Sequence, residues 1–101
     1  MATDSAVRSV TNTLSTTVHD TVTLLQAWNA VQVTNLDGTN AVYFRQDGVT
    51  AVAGADGASV VPPGSSVVAA TTLNQNQSTG ATTTVISIVG NGGAYTIEGV
   101  N

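Results

Sequence analysis

Residues 82–100 read TTTVISIVGNGGAYTIEGV, a run of branched side chains broken once, at a cluster of glycines. Ile86 and Ile88 fall on one face of an extended chain, with Val85, Ser87 and Val89 on the other. Period two is the mark of a strand, because successive side chains leave opposite faces of a pleated backbone. Ala94 to Val100 repeats the pattern and places Tyr95 with Ile97. Between the runs, Asn91-Gly92-Gly93 tolerates positive φ, so this stretch is expected to form a tight β-hairpin. Gly90–Gly93 is a poor phosphate loop. Such loops open a helix whose N-terminal amides hold the anion, and they carry a lysine; here a strand follows.

The same alternation continues upstream. From Thr16 to Leu25, the residues Val18, Val22 and Leu24 share a face that Asp20 interrupts. Trp28 to Asn35 sets Val31 and Val33 against Ala30, Gln32 and Thr34. Ala41 to Gln46 turns Val42 and Phe44 inward, with Tyr43 and Arg45 outward or against a neighbour. Ser66 to Thr71 is a short Val/Ala strand. Asp37-Gly38, Asp47-Gly48 and Asp56-Gly57 punctuate these runs as turns, and Pro62-Pro63-Gly64 stops any strand because neither proline donates a ladder hydrogen bond. The chain holds 17 Thr and 16 Val, residues whose branched Cβ disfavours helix and packs well on a sheet. The expected fold is all-β: a small antiparallel β-sandwich or barrel of six to eight short strands, with one helical turn or none. Residues 1–15 are expected to be an N-terminal arm or an edge strand carrying Val7 and Val10, and residues 16–101 a single β domain. The polar, low-complexity stretch 71–84 reads as a long hairpin loop or a mobile tip.

Composition removes whole classes of function. At 101 residues the chain suits one domain. Arg8 and Arg45 are its only cations besides His19, and the formal charge is −4; nucleic-acid binding, which needs clustered positive charge, is not expected. With no cysteine, neither a disulfide framework nor a Cys-based zinc site is available. No apolar run approaches the ~20 residues of a membrane-spanning helix, and no membrane partner is expected. Met1-Ala2-Thr3-Asp4-Ser5 lacks a basic segment followed by an apolar one, so no signal peptide is expected.

The candidate chemistry is sparse. His19-Asp20 is the one His/carboxylate neighbour pair, but adjacent strand residues point to opposite faces and cannot converge on a hydroxyl. No enzyme activity is expected. Asp37, Asn40, Asp47 and Asp56 offer oxygen ligands for calcium, yet no EF-hand series is present and Asx turns explain each position. No metal or cofactor is expected. Trp28, Tyr43, Phe44 and Tyr95 are read as volume for a core otherwise built from Val and Ala, with Trp28 the ring best suited to a sugar if exposed. Asn76-Gln77-Ser78 matches a glycosylation acceptor, which means little without secretion.

What is left is a chain that acts by binding. A Val/Ala core stabilises modestly, at ~25 cal/mol per Å² of apolar burial. Lysine guards for exposed sheet edges are absent. A homo-oligomer, or a subunit docked on a larger surface, is therefore expected. The candidate interaction surface comprises Val7, Val10, Trp28, Tyr43 and Arg45.

Val31-Gln32-Val33-Thr34-Asn35-Leu36-Asp37-Gly38, then Val42-Tyr43-Phe44, Asp47-Gly48 and Val60-Val61-Pro62, resembles a group of small virion proteins of tailed bacteriophages, particularly those infecting actinobacteria. Val85-Ile86-Ser87-Ile88-Val89-Gly90 followed by Tyr95-Thr96-Ile97-Glu98-Gly99 is similar to how those chains end. The resemblance covers about residues 17–101, with stretch 71–84 longer and more polar than the pattern. It implies a β-rich virion structural protein, made in the host cytoplasm, that decorates or cements the capsid shell. The implied partners are the major capsid protein, or another virion protein, and further copies of the chain. On that reading the arm adds a strand to a neighbouring subunit. The alternatives are a neck, tail or baseplate component of the same particle, or a small carbohydrate-binding adhesion module using Trp28.

Overall fold

The computed structural model describes residues 3–16, 18–26, 28–46, 49–70 and 83–100. Among them lie nine strands and no helix: β1 (Thr3–Ala6), β2 (Ser9–Thr13), β3 (Asp20–Leu24), β4 (Ala30–Asn35), β5 (Val42–Arg45), β6 (Ser59–Val61), β7 (Ser66–Ala70), β8 (Thr84–Val89) and β9 (Ala94–Val100). They form two packed sheets, a five-stranded one ordered β1-β3-β8-β5-β6 and a four-stranded one ordered β2-β9-β4-β7. The all-β sandwich expected from alternation is the fold observed. The larger sheet is mixed, because β1 runs parallel to β3 with Thr3 opposite Thr21 and Ala6 opposite Leu24; every other pairing is antiparallel.

Alternation translates directly into the core. Val22 and Leu24, Val31 and Val33, Val42 and Phe44, Ile86 and Ile88, and Tyr95 and Ile97 are all buried between the sheets, while their strand neighbours, Val89 excepted, are half-buried or exposed. Phe44, Tyr95 and Trp28 fill the interior as large rings among valines. Residues 3–13, read from sequence as an arm or an edge strand, form two strands, one at an edge of each sheet. Val10 and Leu14 bury their side chains in the shared core.

The expected hairpin over residues 82–100 is not formed. β8 lies in the middle of the five-stranded sheet and β9 in the middle of the four-stranded one, so Gly90–Gly93 carries the chain from one layer to the other. The glycines have a steric reason. Gly92 sits at φ +79, a Cβ on Gly90 would meet the side chains of Leu14 and Val42 at 2.9 Å, and one on Gly93 would meet the Asp37 carboxylate at 2.6 Å. A hairpin and an inter-sheet arch both demand residues without a Cβ, and local sequence does not separate them. Crossing is in fact the habit of this chain. β5 and β6 alone are successive strands that pair with each other; every other connection passes between layers.

Candidate interaction surfaces

Among the described residues three polar side chains are buried in the sandwich, and each ties distant segments together. Asp20, which interrupts the apolar face of β3, accepts a hydrogen bond from the Tyr95 hydroxyl across the core at 3.0 Å. Burial and that hydrogen bond to a carboxylate push the Tyr95 hydroxyl well above its ordinary pKa. Asn35, at the end of β4, donates through Nδ2 to the carbonyls of Asn40 and Val61, and its Oδ1 accepts from the Asp37 N–H. Thr84 accepts from the Trp28 N–H and donates to the Gln26 carbonyl. Alternation alone marks Asp20 as inward-facing; for Asn35 and Thr84 no local signal reveals the partners.

The five residues expected to share one surface are divided by the fold. Val10 is in the core, and Trp28 is 6% exposed, with its indole N–H donated to the Val7 carbonyl at 2.9 Å and the Arg8 guanidinium over its ring. The sugar platform proposed for Trp28 is therefore not at the surface. The indole lies against β9, where Gly99 leaves room for it; a Cβ there would run into the ring. Val7 is exposed beside it. Tyr43 and Arg45 lie elsewhere, half-buried on the outer face of the five-stranded sheet. Arg45 donates to the Asp56 carbonyl at 2.9 Å.

The β5–β6 connection folds back over that outer face. The Ala51 N–H donates to the Ser87 hydroxyl of β8 at 2.9 Å, and the Ala51 side chain is buried. Between this loop, the approach to β3 and the Gly90–Gly93 arch lies an open groove of about 640 Å³, lined by Val18, His19, Tyr43, Val52, Val89 and Asn91 among others. His19 faces this groove while Asp20 points into the core, so the neighbour pair does not converge. Among the described residues, no three His, Cys, Asp or Glu side chains gather to hold a metal ion. Asp37 instead makes an Asx turn, accepting from the Thr39 N–H at 2.8 Å and from the Asn40 amide at 3.3 Å. The Thr39 bond, chiefly, holds its carboxyl below the usual range. Asp47-Gly48, most of stretch 71–84 and Asn76-Gln77-Ser78 lie outside the described residues.

The two margins of the sandwich have different chemistry. At one, β1 and β2 each cap an outward amide with a neighbouring side chain. The Asp4 carboxylate accepts the Ser5 N–H at 2.9 Å, the Asn12 carbonyl oxygen accepts the Thr13 N–H at 2.8 Å, and the Asn12 amide reaches Asp4 at 3.4 Å. An exposed Arg8–Glu98 pair, 3.8 Å apart, adds charge. At the other margin, β6 is three residues long and runs into Pro62-Pro63, two familiar ways of blunting an edge. β7 has neither device. It is Ser66-Val67-Val68-Ala69-Ala70, among the described residues it pairs with β4 alone, and Val68 is 61% exposed. No charged residue lies between Asp56 and Glu98 in the chain.

No family model matches the chain, and neither the curated proteins nor the solved structures contain a significant match to it. No helix among the described residues is long and apolar enough to cross a membrane.

Proposed function

We propose that this chain is a non-enzymatic structural protein of a tailed-bacteriophage particle, bound to the capsid surface as a decorating or cementing subunit and associated with copies of itself. The supporting observation is the open edge at β7, uncharged and carrying an exposed valine in a chain whose other edges are capped, short or proline-bounded. Edge pairing supplies main-chain hydrogen bonds without requiring particular side chains on the partner, which suits a surface of many equivalent sites. The segments that resemble phage virion proteins fall largely on β4, β5, β6, β8 and β9, with Asp47-Gly48 outside the described residues. A net charge of −4 on an outer layer also keeps particles dispersed.

The experiment is copy number. Particles assembled with the chain, imaged by electron microscopy or weighed on a quantitative gel, are expected to carry it in hundreds of copies over the shell. A fixed ring at one vertex would instead make it a neck, tail or baseplate component. Particles that exclude the chain altogether would end the virion reading.

A further inference from the structure

We infer that β7 is a self-association edge, on which a second copy of this chain pairs antiparallel about a two-fold axis through Val68, joining the two four-stranded sheets into one of eight strands. The inference rests on the reading of the chain as a self-associating structural protein, and it specifies the strand and the register.

The ladder shows which backbone groups are available. Asn35 donates to the Ser65 carbonyl at 2.9 Å, and β4 pairs Val33 with Val67 and Val31 with Ala69. Antiparallel bonds alternate along a strand, so Val67 and Ala69 face β4 while Ser66, Val68 and Ala70 turn their N–H and C=O groups to the outside. The Ala70 carbonyl accepts the Gln46 amide at 2.6 Å, a side-chain bond that the Ser66 N–H of the other copy replaces when the two strands pair. Among the described residues nothing bonds the outward backbone groups of Ser66 and Val68. At the opposite margin two such groups, the outward Ser5 and Thr13 amides, are taken by the side chains of the preceding residues, Asp4 and Asn12.

A second copy is the occupant that fits. Centred on Val68, the segment Ser66-Val67-Val68-Ala69-Ala70 is self-complementary in size. Val68 meets Val68 of the other copy, and Val67, half-buried and packed against the core, meets the smaller Ala69. A two-fold interface is isologous, which one strand paired with itself satisfies. Charge points the same way. The chain carries −4, yet β7 and its neighbour β4 carry none, so two copies meeting here bring no like charges together along the contact.

Sedimentation equilibrium of the full chain from 1 to 200 µM is expected to give twice the 10.1 kDa protomer mass at the upper end. Val68→Lys is expected to weaken association at least tenfold with an unchanged circular-dichroism spectrum. The chain has no cysteine, so Val68→Cys introduces a single thiol. Facing residues of a hydrogen-bonded antiparallel pair sit ~5.5 Å apart between Cα atoms, within reach of a disulfide. Oxidation should therefore convert Val68→Cys, but not the exposed control Val60→Cys, into a covalent dimer. Should Val68→Lys fail to fold, the hydrogen exchange of the Ser66 and Val68 amides in the unaltered chain gives the same answer. It is expected to slow as concentration rises. A monomer throughout the concentration range, or equal cross-linking from positions 60 and 68, overturns the inference. Copies that decorate particles while remaining monomeric in solution would remove this edge pairing and leave the virion reading intact. Dimers that no particle accepts would do the reverse.

Discussion

The β1/β2 margin and the β6/β7 margin close the same sandwich in opposite ways. The first is sealed from within. Its outward Ser5 and Thr13 amides are answered by Asp4 and Asn12, its connecting residues Val7 and Arg8 cover the Trp28 indole, and Val10 and Leu14 reach the core. The second has a short, proline-bounded β6 beside β7, an uncharged strand of serine, valine and alanine with Val68 exposed. An edge is a liability wherever its donors and acceptors have no partner, and β7, which has neither a charge nor a proline, is the edge on which the proposed pairing is placed. The N-terminal residues thus serve the stability of the protomer, while β7 is the strand to which we assign the proposed association.

The sharpest way to break this contrast is to delete residues 2–15. That removes two strands, exposes the edges of β3 and β9 and uncovers Trp28. The expected loss is the whole of a margin of ~5–15 kcal/mol, seen as the absence of a cooperative thermal transition. A truncated chain that melts normally would return residues 2–15 to the status of a separable arm. Val68→Lys, on the other margin, is expected to leave the melting temperature of the protomer almost unchanged, by ~0.5 kcal/mol or less, because Val68 is mostly exposed.

Next in size is Gly99→Ala, which drives a methyl into the Trp28 indole. Overpacking of this kind costs about 1–3 kcal/mol, and the tryptophan emission is expected to shift to the red as the ring is displaced. An unshifted spectrum with full stability would mean that the ring does not lie on β9.

Tyr95→Phe tests what joins the two sheets between the margins. It takes a donor from the buried Asp20 carboxylate, and about 1–3 kcal/mol is expected to be lost at neutral pH. The pH dependence has a definite sign. The Tyr95 hydroxyl is held above its ordinary pKa in the fold, so the unfolded chain ionises first. Its contribution is complete below about pH 10 and declines as pH rises beyond it. The chain contains no lysine to titrate in the same range. Urea denaturation midpoints of the parent chain and of Tyr95→Phe should therefore converge above that pH; a constant gap would contradict the hydrogen bond.

The smallest effect belongs to Asp37→Asn. With the Asp37 carboxyl held below its usual range by the Thr39 N–H, its stabilisation is present above the unfolded carboxyl pKa of about 3.9 and is lost as pH falls through the folded value. The side chain is only half-buried, so a low titration midpoint by NMR is a more sensitive readout than melting. A midpoint at the ordinary aspartate value would remove the Asx turn from the account.

Most of the interior was legible in advance. The pairs Val31/Val33, Val42/Phe44, Ile86/Ile88 and Tyr95/Ile97 follow from period two alone, since the pleat fixes which neighbours share a face. Asp20 was visible as an oddity on an apolar face, but not its partner, which lies 75 residues away. The site residues fared differently. Val7, Val10, Trp28, Tyr43 and Arg45 were gathered by chemical type, and the fold separates them because exposure depends on what packs above each residue. The groove around His19 and Tyr43 was not foreseeable, for it exists only where the irregular β5–β6 loop folds back on the sheet.

Gly90–Gly93 marks the boundary between the two kinds of information. Strand, turn and inward face are settled within a few residues by branched Cβ atoms, glycine dihedrals and the alternation of the pleat, and the chain carries all of these in its order of residues. Which strand lies beside which depends on free energy shared with segments far away. Leu14 and Val42 press on Gly90, Asp37 presses on Gly93, and together with the sheets on either side they turn what looks locally like a hairpin into a passage between layers.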